Sequence, residues 1–406
     1  MNTDSDTDRS KTLAQHQEGI SRRTLLEGAG WLLGAGGAWA MASAAGADSI
    51  ATTPHRLYLP LLAKAGMLSG LSPALSSSGG TVYVAASNAS PKSKESADYV
   101  CDGVDDQAEV QAAIDSIPAT GGMVSLSEGT FNITSSAMVH KDNVAMSGVG
   151  WATVLMGLSP MEGVVTVVAN RCIIRGLAID GSGVALRGVE VLAVDHFSAG
   201  DLFVRNTTNA GVRVRGDNAG KPSRFATIVG NQFVNAGAAI ANDYEIEEVT
   251  VVGNVVFDSH YGVTVYPFST GHVPRITIMG NFIRNVREGV WMTNGARGTC
   301  VGNYIQGAEG AKNGISIAGA GDSVVGNNFI AGFARGIDGA NAKRCLIMGN
   351  QILSCVVGIL LDVNSGNNAF ALNRLEDVST PLVFGGSGHQ FRDNFGLTTE
   401  NSGTAI

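Results

Sequence analysis

Ile228-Val-Gly-Asn-Gln-Phe-Val-Asn-Ala-Gly-Ala-Ala-Ile240 decides the fold. A short apolar strand ends at Gly-Asn, a second follows, and a third starts after another glycine. The pair recurs at Gly253-Asn254, Gly280-Asn281, Gly302-Asn303, Gly326-Asn327 and Gly349-Asn350, with echoes at Leu372-Asn373 and Asp393-Asn394. Successive asparagine numbers differ by 23, 27, 22, 24, 23, 23 and 21. A period in this range marks stacked supersecondary units, each burying its apolar face against the next copy.

The alternation inside each unit agrees. Two residues after each asparagine stands Phe233, Val256, Ile283, Ile305, Phe329 or Ile352, an inward ladder. In the third strand Val263 and Val265, Val290 and Met292, Ile315 and Ile317, and Ile359 and Leu361 each flank one outward residue. Stacked coils pair each strand in parallel with its copy about 4.8 Å above, so like residues form columns. The glycines and asparagines suit tight corners, and stacked asparagines can bond each other. They are read as structural.

Composition fits many short strands: 54 glycines, 44% hydrophobic and 15% charged residues. The net charge of -8 gives no broad basic footprint, so nucleic acid is not expected as a partner. The five cysteines, Cys101, Cys172, Cys300, Cys345 and Cys355, show no metal spacing, and they read as buried core residues.

Ser21-Arg22-Arg23-Thr24-Leu25-Leu26, followed by the glycine-interrupted apolar run Trp31 to Met41, resembles a twin-arginine export signal. Cleavage is expected after Ala44 or Ala47, an uncleaved anchor being the alternative. The protein is therefore expected outside the cytoplasm: periplasmic, on the cell surface or secreted. No later segment is a transmembrane candidate. The expected organisation is a signal over 1–47, a flexible linker over 48–80, a cap with first strands over 81–140, the coil over 141–396 and a tail over 397–406.

Within the cap, Thr81-Val-Tyr-Val-Ala85 alternates like a strand, and Asp106-Gln107-Ala108-Glu109 has the capping-box pattern. The helix that follows carries Val110, Ala113, Ile114 and Ile117 on one face and stops at Pro118, as a lid on the first coil requires. Met123–Leu126 and Thr130–Ile133 then read as strands.

Asp102-Gly103-Val104-Asp105-Asp106, Gln111-Ala112-Ala113-Ile114, Gly121-Gly122-Met123-Val124 and Glu128-Gly129-Thr130-Phe131 resemble the opening of pectate-lyase-superfamily β-helix proteins. The Gly-Asn units resemble the repeats of the same superfamily. The resemblance spans residues 81 to about 396 and implies an all-β fold: a right-handed parallel β-helix of about 22–24-residue coils with an N-terminal amphipathic capping helix. It implies no reaction. The Asn-Thr-Asp, Asp-Asp and Gly-His-Gly set of polygalacturonases, the Asp cluster of calcium-dependent pectate lyases and the Asp-Pro-His segment of alginate epimerases do not occur on the repeats.

Function is sought on the outward face of the third strands. One column reads Glu190, Arg213, Ala239, Thr264, Trp291, Ser316, Asp338 and Leu360; the next reads Leu192, Arg215, Ala241, Tyr266, Thr293, Ala318, Ala340 and Asp362. Aromatic rings stack on sugars and Arg pairs with a uronate carboxylate, so Arg213, Arg215, Glu245, Tyr266, Arg287 and Trp291 are candidates for substrate binding. Asp243, Asp258 and His260 are candidates for catalysis. Carboxylates about 5 Å apart suit a retaining glycosidase and about 6.5–9.5 Å an inverting one. A lyase needs instead a base for the proton beside a uronate, with Arg or Ca2+ neutralising the carboxylate. Competing structural roles are corner formation for Asp258, a surface loop for His260 and a solvated turn for Glu245, Glu247 and Glu248. The expected function is polysaccharide lysis or hydrolysis, with non-catalytic carbohydrate binding or adhesion as the alternative.

Overall fold

The computed structural model describes residues 80–396, apart from 218, 267–273 and 294, together with 402–403. The expected export signal, most of the expected linker, residues 267–273 and most of the expected tail lie outside the described residues.

The described chain winds as a right-handed parallel β-helix. The first strands of the coils join Thr81–Ala85 and Tyr99–Val100 in one 14-stranded sheet, and the second and third strands form a 21-stranded sheet. All strand pairs are parallel and each strand meets its copy in the adjacent coil: Val251↔Ile278↔Cys300↔Val325↔Ile347↔Phe370 runs up the first sheet without a break in register. The bore holds one continuous apolar cluster from Val84 to Leu382. All five cysteines are buried free thiols, and burial pushes Cys300 up to about 12 and Cys172 up to about 11. They are core residues.

The Gly-Asn corner divides its work between its two residues. Gly230, Gly253, Gly280, Gly302 and Gly349 take φ of 63° to 68°, which costs a residue without Cβ nothing. The following asparagines turn inward and form a ladder, Asn231–Asn254–Asn281–Asn303–Asn328–Asn350–Asn373–Asn394, each Nδ2 donating to the next Oδ1 at 2.9 to 3.0 Å. Below it, Leu177 and Leu202 occupy the same place, and the N–H of Leu202 donates to Asn231 Oδ1 at 3.0 Å.

At one coil the sequence reading slips by a residue. Asn328, not Asn327, joins the ladder; Asn327 takes the glycine's place with φ 53°. The inward residue is therefore Ile330, and Phe329 points outward onto Tyr304, ring centroids 4.7 Å apart.

The helix Gln107–Ser116 buries Val110, Ala113 and Ile114 against the first coil. Its start differs from the expected capping box. The Asp106 carboxylate does not cap the helix but accepts from the N–H of Gly103 at 2.8 Å and of Asn132 at 2.7 Å. Loop and following strand are thereby tied together, a stronger use of a fully buried carboxylate than one helical N–H.

Candidate functional site

The outward columns of the third strands differ from the sequence alignment at one coil. Strands Phe203–Arg215 and Gln232–Asp243 shift register between Thr207 and Ala210, where the first carries one extra residue. Arg213 consequently pairs with Ala241 and Arg215 with Asp243, so Ala239 belongs to neither outward column and is fully buried. The observed columns are Glu190, Arg213, Ala241, Thr264, Trp291, Ser316, Asp338, Leu360 and, beside it, Leu192, Arg215, Asp243, Tyr266. The shift brings Asp243 onto the face.

Around that register lies a charge network. Arg213 Nε donates to Asp243 Oδ2 at 2.7 Å, and Arg215 Nε to Glu190 Oε1 at 2.5 Å. Arg187 reaches Glu190 Oε2 at 3.3 Å and also pairs with Glu162. Three guanidinium groups thus meet three carboxylates. Only 12% of the Arg213 side chain and 20% of that of Arg215 is exposed, so both cations already hold partners within the protein. Glu190, 2% exposed, is the centre of the network. The sequence placed it on the outer face, but Arg213 and Arg215 of the next coil and Arg187 of its own strand cover it.

Next to the network the face is floored by small side chains and walled by large ones. Ala210, Ala238 and Ala241 form an apolar patch of their own, packed against Tyr261. One coil on, Trp291 stacks on Tyr261 with centroids 5.5 Å apart and planes 16° apart, and Tyr266 meets the same indole at 6.0 Å. Tyr244 lies beneath the Arg213 guanidinium, 5.8 Å from it. Partly exposed rings over an alanine floor can take the flat face of a sugar.

Arg213, Arg215, Asp243, Tyr266 and Trp291 are thus brought together. Glu245 follows in the turn, where its carbonyl accepts from the N–H of Ser223 at 2.9 Å. Glu247 and Glu248 pair with Arg224 and Arg275, each at 2.8 Å.

Asp258 and His260 stand elsewhere. Asp243 is level with Tyr266, at the end of the strand Tyr261–Tyr266, whereas Asp258 and His260 precede its start, so about 16 Å of extended strand intervenes. That separation excludes Asp243 and Asp258 as a glycosidase carboxylate pair. Asp258 is a corner residue with φ 52°, in one column with Asn206, Asn235 and Asn285, and Asn285 Nδ2 donates to its Oδ1. His260 stacks obliquely on Tyr261 at 4.5 Å. Arg287 follows one coil on, its N–H donating to the His260 carbonyl at 3.1 Å.

Glu288, in register with Tyr261, is buried, and Asn313 Nδ2 donates to its Oε2 at 3.0 Å. Burial raises its carboxyl above the ordinary range, outweighing Asn313, Lys312 and Arg287, which lower it. A carboxyl with a raised folded-state pKa favours folding while protonated, and that contribution is lost as pH rises through the folded value. Glu288→Gln keeps an acceptor for Asn313 and removes the charge. It is expected to raise the Tm at pH 7 and to leave it unchanged well below pH 4.5, the ordinary value of the group; an unchanged or lowered Tm at pH 7 refutes this.

Residues 194–382, just under half of the chain, match the family model described as Periplasmic copper-binding protein (NosD). No curated protein matches. Among solved structures the chain is similar to the A-module of the mannuronan C-5 epimerase AlgE4 of Azotobacter vinelandii, at TM-score 0.57 and 19% identity over 72% of this chain and 92% of that one. The AlgE6 A-module of the same organism gives 0.54 and 16% over 73% and 97%. A tailspike protein mutant of E. coli bacteriophage HK620, in complex with a pentasaccharide, gives 0.53 and 15% over 72% and 62%. These likenesses establish the fold, a parallel β-helix.

Among its described residues, the matched segment brings no ligand set together for the copper of that family description. Among the described residues, three His, Cys, Asp or Glu side chains converge only at Cys101, Asp106 and Glu109, outside it. There both Asp106 oxygens are already engaged, and burial pushes the Cys101 thiol far up, against the thiolate that copper requires. The described residues at this cluster do not fit a copper ion. No helix of the described residues is long and apolar enough to cross a membrane.

Proposed function

We propose that this is an exported carbohydrate-active protein that engages a polysaccharide on the third-strand face between Arg213 and Trp291. The observation that carries the reading is the aromatic wall Tyr261–Trp291–Tyr266 beside the alanine floor Ala210, Ala238 and Ala241. Export is supported by Ser21-Arg22-Arg23 and its apolar run, and by the periplasmic description of the matching family model. A shared coil with mannuronan epimerases and an oligosaccharide-bound tailspike supports the substrate class.

Cleavage by elimination or hydrolysis is one form of this activity. A second, non-catalytic retention, is favoured by a specific observation: Asp243 is held by Arg213, and Asp258 sits in a corner column at the far edge. A panel of alginate, polygalacturonate and dextran separates the forms. An unsaturated-uronate absorbance marks a lyase, new reducing ends alone a hydrolase, and retention without cleavage a binder. Loss of the absorbance in EDTA with recovery in Ca2+ marks a calcium-dependent lyase. In each case Trp291→Ala is expected to weaken binding about ten-fold or more, since a ring at a contact centre is worth at least about 1.4 kcal/mol. Unchanged affinity in both Trp291→Ala and Asp243→Asn would remove the site.

A further inference from the structure

The residues immediately before the third strands form a column of their own. Backbone bonds from Arg287 to the His260 carbonyl at 3.1 Å, from Lys312 to that of Arg287 at 2.8 Å and from Arg335 to that of Lys312 at 2.8 Å stack His260, Arg287 and Lys312 on consecutive coils. All three side chains are exposed. Neither Arg287 nor Lys312 makes an ion pair among the described residues, unlike Arg213 and Arg215. Tyr261 and Trp291 lie beside the column, the first in ring contact with His260.

Resting on the polysaccharide reading, we propose that His260, Arg287 and Lys312 form a basic track that takes a linear acidic polysaccharide along the solenoid axis, one sugar per coil. The rungs repeat at about 4.8 Å, close to the length of one hexopyranose in an extended 1,4-linked chain. The flexible Arg287 and Lys312 side chains can therefore reach carboxylates of successive units while the His260 imidazole, kept neutral by burial and the two cations, offers a hydrogen bond and the sugar ring faces pass Tyr261 and Trp291. Arg287 and Lys312 act on a common point: after burial, their charges are what lower the His260 pKa. The net charge of -8 opposes loose adherence of polyanions, so retention rests on the match in spacing. The Arg213 edge, internally neutralised, is left to contact hydroxyls.

The test uses the full chain, polymannuronate, dextran and single-stranded DNA of comparable length, with affinities measured by calorimetry at low and high salt. Arg287→Ala/Lys312→Ala, and Arg287→Glu/Lys312→Glu as a folded charge reversal, are expected to bind polymannuronate about ten-fold and about a hundred-fold more weakly, and the salt dependence of the parent is expected to fall in both. Both side chains are exposed, so the fold is expected to hold, as circular dichroism checks, with a lowered Tm because both cations offset the buried Glu288 carboxyl. Polymannuronate binding that ignores both double variants overturns the track and leaves the polysaccharide reading standing. Equal affinity for the DNA overturns the assigned ligand class. Binding to no polysaccharide overturns the reading beneath it as well.

Discussion

Glu190→Met is expected to cost about 3–5 kcal/mol of stability, the usual consequence of removing one member of a buried ion network. Glu190 is 2% exposed and is approached by three guanidiniums: Arg215 at 2.5 Å, Arg187 at 3.3 Å and Arg213 at 3.8 Å. Arg187 and Arg213 keep Glu162 and Asp243 as partners; Arg215 keeps no ion pair among the described residues. Removing Glu190 also turns three cations against three carboxylates into three against two. The double variant Glu190→Met/Arg215→Met restores the balance and replaces the pair by apolar volume, so it is expected to recover most of the loss. Denaturation midpoints of the parent, both single variants and the double variant give the coupling directly. A single-variant loss below about 1 kcal/mol would place the network in the class of exposed pairs.

The legible parts of this chain were those that repeat. Asn231, Asn254 and Asn281 identify a ladder because the same pair returns at every coil and the alternation after it never changes. Asn327-Asn328 defeats that rule, because either asparagine satisfies the spacing; only φ 53° at Asn327 settles which turns inward. The site failed to read out for a related reason. Gly237 looks like the glycine that opens the third strand, by analogy with Gly211, yet Val212 pairs with Ile240, so Gly211's counterpart is Ala239. The extra residue between Thr207 and Ala210 causes this, and the run Asn206-Thr207-Thr208-Asn209-Ala210 holds no apolar alternation whose change of phase could mark it. The shift is what carries Asp243 from beside the face onto it. Glu190 does stand in the outward column, but an outward position in a solenoid implies exposure only when its neighbours are short, and here Arg213 follows it in the column and Arg215 in the next.

A glycine column shows the same limit from the other side. Gly188, Gly262 and Gly336 occur at one place in the third strand, where a Cβ would fall 2.5 Å from Val204, 2.8 Å from Ile283 and 2.5 Å from Ile352. The inward residue of the next coil uses that space. Their recurrence was visible in the sequence; the reason for it was not, since it depends on which coil the branched side chain leans toward.

Asn303→Ala is expected to cost about 3–4 kcal/mol, whereas Asn394→Ala is expected to cost only about 1 kcal/mol. Asn303 donates to Ile278 O at 3.1 Å and Asn328 Oδ1 at 2.9 Å, and accepts from both the N–H and Nδ2 of Asn281 at 2.9 Å. It is 2% exposed, so water cannot take its place, and the Asn281 N–H is left buried without an acceptor. Asn394 also accepts twice, from Asn373, and donates to Phe370 O at 3.0 Å, but it ends the ladder and is partly exposed. Water can replace it there. Denaturation of the two variants side by side therefore measures burial with the chemistry held constant. Equal losses would mean that the ladder is open to solvent along its length, and that the coils are held by the bore and the backbone ladders alone.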